Sequence, residues 1–112
     1  MSTILWAPSE ARRMNSQLWQ FMQRAYPQSN GDYIALWQWS LDHPADFWRQ
    51  VWQFTGVIGS PPGDVIVADV TRMPGAQWFP GVTLNYAQNL LHRRDNIYYS
   101  YNLKNYINYL LY

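Results

Sequence analysis

Seven tryptophans in 112 residues, all of them at or before Trp78, restrict this chain more than any other feature. A chain of this length buries only roughly 60–65% of the surface its unfolded form exposes. An indole load of that size cannot all be hidden inside so small a body. Part of it must stay at the surface or meet a partner, since large apolar patches on a lone monomer are uncommon. The length allows one small domain. Charge is sparse and nearly balanced, at net +1, which gives no polyelectrolyte for nucleic acid or an anionic membrane. There is no cysteine, which excludes a disulfide framework, a cysteine zinc site and a thiol nucleophile. The opening MSTILWAPSE has neither a basic region nor a long apolar run, and no stretch approaches the roughly 20 apolar residues of a membrane helix. The expectation is a soluble, cytoplasmic protein.

Hydrophobic spacing points to a mainly helical fold. Ser9 caps a first helix, along which Met14, Leu18, Phe21, Met22 and Ala25 share one face until Pro27–Gly31 ends it. That stripe reads as core rather than as a ligand-binding face. Asp32 opens a second helix in which Tyr33, Leu36, Trp37 and Ser40 stand a turn apart. Trp39 then points away, toward a partner surface. A third helix starts at Pro44, whose missing N–H costs nothing in a first turn, with Asp42 or His43 as its cap. It runs to about Phe54 and stops at Gly56. Phe47, Val51 and Phe54 share a face beside a Trp48–Trp52 pair. This helix is expected to be the most buried.

No catalytic, cofactor-binding or metal-binding residue emerges from this pass. His43 has no second ligand nearby in sequence, and His92 is about fifty residues away. It reads as a capping or surface histidine. Asp42 and Asp46 are four apart at a helix start, where the dipole favours them, and read as structural. The glycines of GVIGSPPG (56–63) match neither the P-loop nor the dinucleotide fingerprint. Asp64–Asp69 is β-prone and Ala76–Phe79 offers a second strand, so a small edge ribbon is expected. Thr83 or Asn85 begins a last helix through Leu84, Ala87, Leu90 and Leu91, with Arg93 and Arg94 in its final turn.

The most idiosyncratic run is Arg72–Arg94, RMPGAQWFPGVTLNYAQNLLHRR. Two Pro-Gly turns bracket Trp78-Phe79, and Leu84-Asn85 and Asn89-Leu90-Leu91 follow. Other matching pieces are Leu5-Trp6 with Pro8, Phe21-Met22, Tyr33 with Trp37–Ser40, His43-Pro44 to Phe47-Trp48, and Phe54–Gly59. In this order they closely resemble the N-terminal region of AMP-forming acyl-CoA synthetases, above all the acetoacetyl-CoA synthetases. The resemblance covers about Leu5 to Asn96. It implies a helical N-terminal cap, mainly α with minor β, of an adenylate-forming α/β enzyme. It implies a whole enzyme that joins acetoacetate to CoA through an acyl-adenylate, using ATP, CoA and Mg²⁺. The family's catalytic parts lie downstream, so this chain is expected to be a truncated, inactive segment whose partner is the catalytic body. Exposed aromatics make self-association the other expectation. A different reading is a free-standing module binding an apolar peptide or carbohydrate through Trp39, Trp48, Trp52 and Trp78. A third is a nonfunctional gene remnant.

Two segments result: a synthetase-like domain over 1–96 and a tail over 97–112. The tail IYYSYNLKNYINYLLY holds six of the nine tyrosines and the one lysine, Lys104, which matches no family motif. It lacks Trp, Pro, Gly and acid. The change of composition reads as a segment not native to the domain, such as a frameshift product or an assembly junction. A real aromatic helix or strand is the alternative. Its high β-propensity and single charge make it an aggregation liability.

Overall fold

The computed structural model describes residues 4–92. Within them run helices α1 (Glu10–Met14), α2 (Gln17–Ala25), α3 (Tyr33–Asp42) and α4 (Pro44–Thr55). Strands β1 (Val67–Ala68) and β2 (Gln77–Trp78) and helix α5 (Tyr86–Leu91) follow. The mainly helical expectation with minor strand holds. The tail and the expected last-turn arginines, Arg93 and Arg94, lie outside the described residues.

Where one first helix is expected, the structure has two. Ser9 caps α1 by accepting from the Arg12 N–H, as its sequence position suggests. The helix then ends at Asn15, and Ser16 swings to extended backbone at ψ 151°. The Ser16 hydroxyl donates to the Arg13 carbonyl at 2.7 Å and accepts from the Trp19 N–H at 3.1 Å. Short polar side chains compete with the backbone for its own hydrogen bonds, and Ser16 does so here. Met14 is therefore not part of the core and is 43% exposed.

The later boundaries follow their signals. The Asp32 carboxylate accepts from the Ile34 N–H at 2.8 Å and starts α3. Pro44 occupies the first turn of α4. His43 stands at the cap but makes no side-chain hydrogen bond there, and Asp42 instead accepts from the Gln38 amide. Gly56 takes a left-handed φ of 66° and ends α4. Between α2 and α3, Gly31 has φ +80°, and a Cβ there would lie 2.1 Å from the Trp19 ring. Gly31→Ala is therefore expected to cost about 1–3 kcal/mol, from the strained φ and the displaced indole together. A urea melt would check it, and an unchanged midpoint would refute it.

Phe21, Met22 and Leu36 form the core of the helical unit, with Ala25, Tyr26, Trp39, Phe47, Val51 and Phe54 packed around them. The two buried residues of α2 make it the most buried helix, whereas α4 has none below the surface. The expectation for α4 fails because its wide apolar girdle is met on both sides, by the core and by the hairpin, yet fully enclosed by neither. Trp39 also departs from expectation. It lies three residues after Leu36 on the same helical face, and so turns inward. Its indole stacks on Tyr26 with centroids 5.0 Å apart and meets the edge of Phe47.

β1 and β2 pair antiparallel, Val67 opposite Trp78 and Ala68 opposite Gln77. The β-prone run thus yields only two paired residues on each side. Ile66, just before β1, is 1% exposed, and its carbonyl accepts from the Phe79 N–H at 2.7 Å. Phe79 itself holds a left-handed φ of 48°. That geometry turns the chain out of β2 toward Pro80-Gly81.

Candidate docking face

Two surfaces of α4 explain why its sequence is so aromatic. One side carries the hairpin. Trp78 meets Trp48 edge-on with centroids 5.9 Å apart, and Phe79 lies 4.8 Å from Trp52. Arg49 donates to the Asp64 carbonyl at 2.8 Å and anchors the approach to β1. The Trp-Phe pair between the two Pro-Gly turns therefore works as an internal brace on α4.

The other side of α4 packs Phe47, Val51 and Phe54 onto the helical core but is not fully covered. Together with α2 and α3 it forms an apolar groove of about 500 Å³. Phe21, Leu36, Phe47, Val51 and Phe54 line its floor, and Leu18, Tyr33 and Trp37 stand at its rim. No charged side chain lines it among the described residues. Trp37 is 49% exposed and Tyr33 58%. Ile34 and Leu41 continue the exposed apolar surface of α3. A helix that is apolar all round, with Leu36 and Trp39 inward and these residues outward, normally lies within a larger body.

A third device ties the chain's last described helix to the rest. Asn85 caps α5 by accepting from the Gln88 N–H. The Asn89 amide accepts from the Ile58 N–H at 2.7 Å and donates to the Ile58 carbonyl at 2.7 Å. It pairs with that residue as a neighbouring strand would. Beside it Gly59 bridges Leu84, while Ser60 and Thr83 exchange hydrogen bonds at 2.9 Å. A Cβ on Gly59 would sit 3.0 Å from the Thr83 carbonyl, so the glycine permits the close approach. Asn89 was visible in the sequence only as part of the Asn-Leu-Leu run, with no signal of its role.

The same contacts decide what the 56–63 loop can do. Its N–H groups at Ile58 and Ser60 are committed to Asn89 and Thr83, and Pro61 and Pro62 have none to offer. It cannot wrap donors around a phosphate. Lys104, the one lysine, is outside the described residues. These residues do not fit ATP, CoA phosphates or Mg²⁺. His43 lies against the Trp39 ring, and His92 approaches the Asn89 carbonyl. No three His, Cys, Asp or Glu residues gather to hold a metal among the described residues. Trp39, Trp48, Trp52 and Trp78 each pack on another aromatic ring of the same chain. Trp48, Trp52 and Trp78 lie together where the hairpin meets α4, with Trp48 42% and Trp78 44% exposed, while Trp39 packs on the core away from them.

Residues 33–90 match the acetyl-coenzyme A synthetase N-terminus family. The chain belongs to that family. The chain is 34% identical over 96 residues to an acetoacetyl-CoA synthetase of Danio rerio, covering 84% of this chain and 14% of that protein. It is 36% identical over 92 residues to a malonamoyl-CoA synthetase of Penicillium aethiopicum, covering 79% of this chain and 12% of that one. Its fold matches an acetoacetyl-CoA synthetase structure from Streptomyces lividans with TM-score 0.68 and 37% identity, over 78% of this chain and 14% of that chain. The chain thus spans about one seventh of the length of the curated relatives it matches. No described helix is long and apolar enough to cross a membrane.

Proposed function

We propose that this chain is the N-terminal structural segment of an acetoacetyl-CoA synthetase-type ligase, and that it supplies no catalytic group of its own. The observation that carries the reading is the fold match to 14% of a synthetase chain at 37% identity. In the whole enzyme the reaction joins a carboxylate to CoA through an acyl-adenylate with ATP and Mg²⁺. This segment contributes packing: its Trp-rich helices cover and help order the catalytic body. Acetoacetate is the substrate best supported, since most of the named relatives are acetoacetyl-CoA synthetases, although the malonamoyl relative shows that a similar segment serves another acid. The cytoplasmic expectation goes with this reading.

The test has two arms. The purified chain is expected to give no ATP–pyrophosphate exchange with acetoacetate above background. A chimera in which residues 1–92 replace the matching segment of the Streptomyces lividans enzyme is expected to stay soluble and active. Exchange by the chain alone would refute its inactivity. A chimera that folds without activity, or fails to fold while the parent enzyme is sound, would refute the structural role.

A further inference from the structure

The apolar groove of α2, α3 and α4 is selective about what can fill it. At about 500 Å³ it has room for a small ligand, but such sites place a few polar groups to fix the ligand's orientation. Four polar side chains reach this lining, Gln17, Tyr33, Ser40 and Thr55. Two of them have spent their hydrogens within their own helices. The Ser40 hydroxyl donates to the Trp37 carbonyl at 2.6 Å, and the Thr55 hydroxyl to the Val51 carbonyl at 2.7 Å. Gln17 and Tyr33 are too few to answer an extended segment, which brings an N–H and a carbonyl with every residue. An α-helix arrives with those groups already paired and offers only a stripe of side chains. That stripe must be free of charge. Arg24, Asp42, Asp46 and Arg49 of the three walls all lie outside the lining, so a charge brought into the groove would find no partner.

Among the described residues, a second copy of this chain has no such helix to give. α1 and α5 have five and six residues, less than two turns. The outer stripe of α3 runs through Ile34, Gln38 and Leu41, and the Gln38 amide holds the Asp42 carboxylate at 3.1 Å. Seating it would bury that acid. The outer side of α2 carries Gln20 and Arg24, and the far side of α4 meets the hairpin. The relatives do have chain to spare. The Streptomyces lividans synthetase keeps this fold within 14% of its length, so about six-sevenths of that chain lies outside the match.

We propose that the groove seats a charge-free, apolar helix face of the synthetase catalytic body. This rests on the functional reading above and adds which face of the segment meets the body and what chemistry meets it. Four residues make the test. Leu18, Trp37, Val70 and Leu84 are 45, 49, 49 and 50% exposed in the chain by itself, and of these only Leu18 and Trp37 line the groove. Each is changed to cysteine, one at a time, in the Streptomyces lividans chimera carrying residues 1–92, a segment with no cysteine of its own. Alkylation by iodoacetamide is followed at that site by peptide mass spectrometry, each rate taken relative to the urea-unfolded chimera. Leu18→Cys and Trp37→Cys are expected to react roughly tenfold or more slowly than Val70→Cys and Leu84→Cys, as sites that must wait for an opening do. Equal rates, or slower reaction at Val70→Cys and Leu84→Cys, in a chimera that is active would overturn this proposal and leave the functional reading standing. A chimera that folds without activity before any cysteine is introduced would overturn both. Protection of the groove that fades on dilution would assign it to a second copy and overturn the proposal as well.

Discussion

Replacing Phe21 with alanine is expected to cost about 3–5 kcal/mol, the usual range for emptying a phenylalanine site in a core. Phe21 is 7% exposed and sits where the helices converge. Its ring meets Phe47 edge-on at 5.8 Å and Phe54 edge-on at 5.3 Å. One substitution thus removes the shared partner of two rings on α4 and opens the floor of the groove. Domains of this class are stable by about 5–15 kcal/mol, so the loss takes a large share of the total. In a chain of about this size each kcal/mol lowers the melting point by roughly 4–8 °C, so a fall of some 15–30 °C is expected. Thermal circular dichroism would record it. Phe21→Leu keeps most of the volume and should cost roughly 1–1.5 kcal/mol. A Phe21→Ala protein that melts within a few degrees of the parent would show that the helical unit is held together elsewhere.

Asn89→Ala is expected to produce a local loss of comparable importance but different kind. The Asn89 amide satisfies both the N–H and the carbonyl of Ile58, and its Nδ2 also donates to the Asn85 carbonyl at 2.9 Å. Alanine leaves two half-buried backbone groups without their partners, at about 2–3 kcal/mol in all. The α2–α4 core does not contact this clasp through Asn89, so the loss should fall on α5 and the 57–60 loop. Amide exchange at Ile58 is the informative signal, with a decrease in protection of roughly 30–100-fold for that energy. Asn89→Asp should not rescue it. The carboxylate can still accept from the Ile58 N–H, but it sets an oxygen against the Ile58 carbonyl where the amide donated. Global destabilisation with Ile58 no more affected than Leu36 would contradict the local account.

These two residues differ in how openly the sequence displays them. Phe21 belongs to a helical stripe, and the spacing alone places it inward. The boundaries at Ser9, Asp32, Pro44 and Gly56 were legible for a similar reason, because each depends on chemistry within a few residues. The break at Asn15-Ser16 was not, since two short polar side chains can lie on a helix surface or interrupt it. Trp39 was misplaced because α3 has apolar residues on every side, and its period cannot say which side meets α2 and α4. The relative burial of α4 depended on how completely the hairpin covers one of its faces and the helical core the other, which is a tertiary fact. Asn89 acts across 31 residues on a backbone group, and no local pattern encodes such a partner. The docking groove was visible only as an excess of aromatics. Its shape comes from the packing of α2, α3 and α4 against one another, which no local pattern encodes.

The clasp also sets an order of events during synthesis. The helical unit is complete once Thr55 has been made, because its core draws only on α2, the turn after it, α3 and α4. Asn89 is added 34 residues later (89 − 55). At ribosomal rates of 5–20 residues per second that interval is about 2–7 s. Before the hairpin is in place the nascent chain displays the Trp48 and Trp52 face of α4, which Trp78 and Phe79 later cover. Ribosome-bound chains with residues 1–75 clear of the exit tunnel should therefore be captured by a chaperone that ignores chains with all 112 residues clear of it. The aromatic girdle that gives the finished segment its grip is, while the chain is emerging, its period of greatest exposure.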